Sequence, residues 1–157
     1  MELKELYREI LNEHNINPAH KSSLDGADLT LQGVNPSCGD NITLRLKTES
    51  GTITDGAFDG SGCAISQASC DMMLDLIIGK TAEEALRLCE IFMGMIQGTV
   101  SEEQIEELDE ASALREIQHM PARVKCAELG WRTMREMLGL KKDTASATAS
   151  HPDCPVN

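Results

Sequence analysis

Positive charge and aromatic side chains are both scarce in this chain. Lys and Arg number 14 against 26 Asp and Glu, which leaves a formal net charge of −12. Phosphate backbones and anionic leaflets repel such a chain, so neither nucleic acid nor a membrane surface is an expected partner. Phe, Trp and Tyr together supply 3% of the residues, while Met occurs 8 times, a balance that favours an adaptable core or contact surface. No apolar run approaches the roughly 20 residues a bilayer span needs. The opening Met1-Glu2-Leu3-Lys4-Glu5 lacks the basic-then-apolar plan of a secretory signal, so the expected location is cytoplasmic. Familiar catalytic templates are missing as well: there is no His-Glu-x-x-His, no P-loop, no Gly-x-Ser-x-Gly, and no His-x-Glu ahead of Cys38 of the kind a zinc deaminase carries.

What the chain does have is length for one domain, 41% hydrophobic residues in 157, and six cysteines. In a reducing compartment spaced cysteines point to metal binding or thiol chemistry rather than disulfides. Helical spacing of Leu3, Leu6, Tyr7, Ile10 and Leu11 predicts an amphipathic helix from Glu2 to His14, followed by a loop over Asn15 to Ala27. From Asp28 to Thr54 the period falls to two. Leu29 and Leu31, then Ile42, Leu44 and Leu46, then a shorter run around Ile53 predict three short strands in an antiparallel meander, with turns over Gly33 to Asn41 and Glu49 to Gly51. Helices follow over Ala64 to Ile78, closed by Gly79, and from Thr81 to about Gln97, opened by a Thr81–Glu84 capping box. Ser101 and Gln104 repeat that signature at the start of an acidic segment, residues 102–110, read as a solvated helix face. A last helix is expected from Pro121 to Leu138, with Gly139 as its stop. The Ala/Thr/Ser-rich residues 141–157 have little to bury and read as a disordered tail, leaving residues 1–140 as the domain.

Three cysteine segments stand out. Asn35-Pro36-Ser37-Cys38-Gly39-Asp40 lies in a turn where the Cys38 thiolate and the Asp40 carboxylate could converge on one cation, although Cys-x-Asp alone is equally compatible with a plain turn. Asp59-Gly60-Ser61-Gly62-Cys63-Ala64 delivers Cys63 to a helix N-terminus, where unpaired backbone donors favour the thiolate; the alternative is a small buried hydrophobe. In Arg123-Val124-Lys125-Cys126 two cations flank a third thiol. These segments are too far apart for a local Cys-x-x-Cys ribbon, so a shared site must be assembled by the fold. Cys70 and Cys89 read as core residues, and the His151-x-x-Cys154 pair sits in the tail. His14, His20 and His119 lie in or beside loops, as solvated groups or caps.

Taken together, Pro36-Ser37-Cys38-Gly39-Asp40, Gly62-Cys63-Ala64-Ile65-Ser66 and Lys125-Cys126 resemble the three cysteine motifs of the IscU/NifU-N family of iron–sulfur cluster assembly proteins. The likeness covers most of residues 1–140. Lys125 stands where the scaffold branch has a histidine, Met120-Pro121-Ala122-Arg123-Val124-Lys125 lacks the Leu-Pro-Pro-Val-Lys motif read by its chaperone, and the stretch around Ser101 to His119 is extra. That combination resembles the SufU branch. The resemblance implies an α+β fold, IscU-like, with a small antiparallel sheet of about three strands packed against helices. It implies a zinc ion held by Cys38, Asp40, Cys63 and Cys126. It also implies a sulfurtransferase role, in which Cys38 takes persulfide sulfur from a SufS-type cysteine desulfurase and passes it to a scaffold such as a SufBCD-type complex. The alternative is a scaffold that assembles a [2Fe–2S] cluster on the same four residues, with iron in place of zinc.

Overall fold

The computed structural model describes residues 3–146, with side chains from 4 to 139. The first helix, α1, spans Leu3–Ile16, and a loop leads to strands β1 (Leu29–Asn35), β2 (Asp40–Glu49) and β3 (Thr52–Ser61). These form one antiparallel sheet in the order β1-β2-β3. Period-two burial places Ile42, Leu44 and Leu46 on the covered face, and the register sets Leu44 opposite Leu31 and Phe58. The third strand is longer than expected, ten residues rather than a short run around Ile53. Gly56 lets the strand pack closely: a Cβ there would lie 2.8 Å from a Leu74 methyl and 2.9 Å from a Leu46 methyl. The expected turn over Gly33 to Asn41 contracts to Pro36–Gly39, because the strands pair up to Asn35 and Asp40.

Chain segments seal the outer edge of β3 at both ends. The Ser22 N–H donates to the Phe58 carbonyl and the Phe58 N–H to His20, while Ile53 and Gly79 to Lys80 bond at the other end. Among the described residues no backbone bond of this kind covers the outer edge of β1.

Helices α2 (Ala64–Ile77), α3 (Ala82–Gln97) and α5 (Val124–Ser146) build the rest of the core. The Thr81–Glu84 capping box forms as expected, and Gly98 closes α3 in the left-handed conformation. At the centre Trp131 is fully buried, stacked on Phe92 with centroids 4.3 Å apart, and its Nε1 donates to Ser69 Oγ at 3.1 Å. The α5 helix runs past Gly139 to Ser146, so that glycine is not the stop, and helix occupies the first residues of the expected tail. Residues 147–157, with His151 and Cys154, lie outside the described residues.

The acidic segment does not form one helix. After the Ser101 capping box, α4 lasts only from Glu102 to Glu106, and a 3-10 segment follows over Asp109–His119. Ile105, Leu108, Ala111, Leu114 and Ile117 anchor it to the core. Several of its carboxylates are engaged: Glu102 with Arg115 at 2.6 Å, Glu107 with Arg87, and Glu110 with His14.

His14 corrects the expectation of a solvated loop residue. It is only 6% exposed, with Nδ1 2.6 Å from Asp71 on α2 and Nε2 2.9 Å from Glu110 on the 3-10 segment. Burial alone would lower its pKa, but the bonds to Asp71 and Glu110 outweigh burial and hold it above the usual histidine range. A folded-state pKa above the unfolded value of about 6.5 gives stabilisation that is complete below that value and is lost as pH rises through the raised one. In chelator-treated protein the advantage of wild type over His14→Gln, read as a difference in urea midpoint, is therefore expected to be largest near about pH 6 and to shrink towards about pH 9. A difference that does not change with pH would refute this.

Candidate metal centre

Three elements remote in sequence deliver the cysteine segments to one place. The β1–β2 hairpin carries the first. The Asn35 carbonyl accepts from the N–H groups of Cys38 (3.2 Å) and Gly39 (2.9 Å), and Gly39 takes φ +74° to close the turn. Cys38 is thereby left exposed at the tip, while Asp40, two residues on, is fully buried as the first residue of β2. Cys63 is the N-cap of α2, and its sulfur accepts from the Ser66 N–H at 3.4 Å. Its own N–H donates to Asp40 Oδ1 at 2.8 Å, tying the second motif to the first. Gly62 permits that approach, since a Cβ there would lie 2.9 Å from Asp40 Oδ1 and 2.5 Å from Ser66 Oγ. Cys126 comes from the first turn of α5 and is fully buried.

Cys38 Sγ and Cys126 Sγ lie 3.1 Å apart, and the donor atoms of Cys38, Asp40 and Cys126 all fall within 4.8 Å of one another. The Cys63 thiol is within hydrogen-bonding reach of Cys126 but is not part of that tight set. Burial pushes the Cys126 thiol well above its ordinary pKa, and the thiols of Cys38 and Cys63 and the Asp40 carboxylate push it in the same direction. Arg123 and Lys125, which the sequence suggests as local compensation, are exposed, and among the described residues neither makes a hydrogen bond or ion pair to the site. A soft, borderline cation is what such a cluster of thiols and one carboxylate lacks. Bound there, it would bring the thiols down to thiolate. Three sulfurs and one carboxylate oxygen would suit zinc.

One contributor was not singled out in the sequence. Asn35 is 4% exposed, and its Nδ2 faces both Asp40 Oδ2 (3.5 Å) and Cys126 Sγ (3.8 Å). Its position three residues before Cys38, at a turn, was the available signal. Cys70 and Cys89 lie in the core as expected, held neutral by burial, which pushes the Cys89 thiol up to about 12. His20 pairs with Asp75 at 2.7 Å, and His119 is exposed at the end of the 3-10 segment.

Comparison with known proteins agrees with this geometry. The sequence profile of the NifU-like N terminal domain matches residues 6–127. An iron–sulfur cluster assembly scaffold protein IscU from Streptococcus pyogenes is 42% identical over 149 residues, 95% of this chain and 89% of that protein. The zinc-dependent sulfurtransferase SufU of Bacillus subtilis is 38% identical over 134 residues, 85% of this chain and 90% of that one. A solved structure described as an iron–sulfur cluster assembly scaffold protein for the SUF system, from Fervidobacterium islandicum, superposes with a TM-score of 0.79 at 34% identity, covering 85% of this chain and 97% of that one. The three-stranded sheet and the helices around it are thus shared with proteins of one kind: this chain belongs to the NifU-like N-terminal domain family, among whose members are scaffold proteins of iron–sulfur cluster assembly.

Proposed function

We propose that the chain is a sulfur-transfer protein of the SufU kind, which accepts persulfide sulfur from a SufS-type cysteine desulfurase on Cys38 and hands it to a cluster-building scaffold such as a SufBCD-type complex. The observation that carries the reading is the unequal exposure of the site. Asp40 and Cys126 are fully buried and Cys63 is partly covered, while Cys38 is exposed on a hairpin tip. A group that must be reached by another protein's persulfide has to be outermost, whereas groups that only hold a metal do not. The relative from Bacillus subtilis is named as a zinc-dependent sulfurtransferase, which supports the same reading.

Zinc bound by Cys38, Asp40, Cys63 and Cys126 would hold the thiols deprotonated and, with four protein ligands, would leave no open position for a hydrolytic water. In the transfer step the Cys38 thiolate attacks the outer sulfur of the donor persulfide. A sulfur–sulfur bond forms to Cys38, the donor's sulfur–sulfur bond breaks, and the donor cysteine leaves as thiolate, so electrons and protons balance without an added oxidant. Asp40 is held by the Cys63 N–H and faces the Asn35 amide, so the buried side of the site keeps its shape while Cys38 reacts.

A scaffold role, in which Cys38, Asp40, Cys63 and Cys126 carry a [2Fe–2S] cluster, is the second reading. The names of the Streptococcus pyogenes and Fervidobacterium islandicum proteins favour it. Desulfurase turnover measured with and without this protein, with bound metal quantified, separates the two. Transfer predicts about one zinc per chain and strong stimulation of turnover. Stimulation absent from zinc-loaded protein, with a reconstituted cluster passed to an apo-protein, would establish the scaffold instead.

A further inference from the structure

Asn35 ends β1 and stands opposite Asp40, the first residue of β2, in the sheet register. Its carbonyl holds the Cys38 turn by accepting from the Cys38 and Gly39 N–H groups, a service that any residue's backbone could give. The side chain is not spent on that turn. It is buried, with Nδ2 3.5 Å from Asp40 Oδ2 and 3.8 Å from Sγ of Cys126 on α5. We propose that Asn35 is a positioning residue of the metal centre, whose amide holds Asp40 and Cys126 as fixed ligands and leaves Cys38 as the thiolate with no damping donor. The inference rests on a metal held by Cys38, Asp40, Cys63 and Cys126, as in the function proposed above, and on no step of the sulfur transfer itself.

The distribution of donors around the site carries the argument. Asp40 Oδ1 accepts from the Cys63 N–H at 2.8 Å, Cys63 Sγ accepts from the Ser66 N–H at 3.4 Å, and Cys126 Sγ faces the Asn35 amide. Among the described residues no N–H donates to the Cys38 sulfur, whose neighbour is Cys126 Sγ at 3.1 Å. A donor to a metal-bound thiolate fixes its direction and draws off part of its charge, as hydrogen bonds to metal ligands do generally. The two hydrogens of one amide allow Asp40 and Cys126 to be served together.

The residue type also fits the charge. Three thiolates and a carboxylate around a divalent ion remain net negative, and an aspartate at position 35 would add to that. A leucine of similar size would leave Asp40 Oδ2 and Cys126 without this donor. Asparagine supplies the donor and adds no charge. Arg123 and Lys125 are exposed and, among the described residues, make no bond to the site, so they do not take this role.

The test is Co2+ loading of chelator-treated wild type, Asn35→Leu and Asn35→Ala, read by thiolate-to-Co2+ charge-transfer absorption and by competition with a chelator of known affinity. Both variants keep the backbone carbonyl that forms the turn. Without the amide the sulfur electrons are held less tightly, so the charge-transfer band of both variants moves to longer wavelength. Co2+ affinity falls by about tenfold or more. Band position is the deciding readout: only folded, loaded protein absorbs there, and a loss of stability alone lowers the band without moving it. A band at the wild-type wavelength in both variants would overturn the proposal and leave Asn35 as a turn residue. Absence of a thiolate band from wild type is a different failure, which would overturn the metal centre itself and this inference with it.

Discussion

Replacing Cys38 with alanine is expected to abolish persulfide loading and to return desulfurase turnover to its unstimulated rate. The loss should be complete rather than partial, because a methyl group offers no pair of electrons for the attack and no other thiol at the site is as exposed. Cys126 is fully buried and Cys63 is engaged as the cap of α2, so neither is placed to substitute. Folding should be nearly untouched. The side chain stands on an exposed hairpin tip, and substitutions at such positions usually stay within about 0.5 kcal/mol when no metal is bound. The decisive measurement pairs a desulfurase assay with mass detection of the added sulfur on wild type and variant. Normal stimulation by Cys38→Ala would sink the transfer role.

The second large effect is on stability. Trp131→Ala should cost about 3–5 kcal/mol, the range for deleting a large buried aromatic. Three kinds of contact disappear together: the stack on Phe92, the Nε1 bond to Ser69, and the packing of α5 against α2 and α3. Ser69 keeps its own bond to the Ala127 carbonyl at 2.6 Å, so its hydroxyl is not stranded. For a chain of this size the cost corresponds to a fall of about 6–20 °C in Tm. Trp131→Phe should retain much of the stack and lose far less. A melting point for the alanine variant within a degree or two of wild type would show that α5 is not anchored at this residue.

Much of this architecture is legible locally. The capping boxes at Thr81 and Ser101 mark their helices because the signal is confined to four residues. The hydrophobic alternation through Ile42, Leu44 and Leu46 marks β2 in the same way. Legibility failed where a residue's role depends on something distant. The third strand reads as a short run around Ile53, although it continues to Ser61 with Gly56 packed against Leu74. His14 reads as solvated because its partners lie 57 and 96 residues further along the chain. The acidic segment carries a helix signature at its start, but the buried spacing of Leu108, Ala111, Leu114 and Ile117 serves a 3-10 path around the core. For the candidate site, Cys38, Asp40, Cys63 and Cys126 read as a set of candidate metal ligands through their resemblance to a family. The convergence of Cys38, Asp40 and Cys126 and the greater exposure of Cys38 come only from the fold.

The sheet's two edges have different consequences for how copies of the molecule can meet. Residues 20–22 and 79–81 occupy hydrogen-bonding positions along β3 that another strand would need. Strand addition is therefore confined to the β1 side, where Thr30, Gln32 and Val34 are exposed. Two copies can join edge to edge there, and such a pair presents outward only β3 edges that are blocked at Ile53 and Phe58. Growth into an indefinite stack of sheets is thus opposed by the same loop and helix-connecting segments that close the fold.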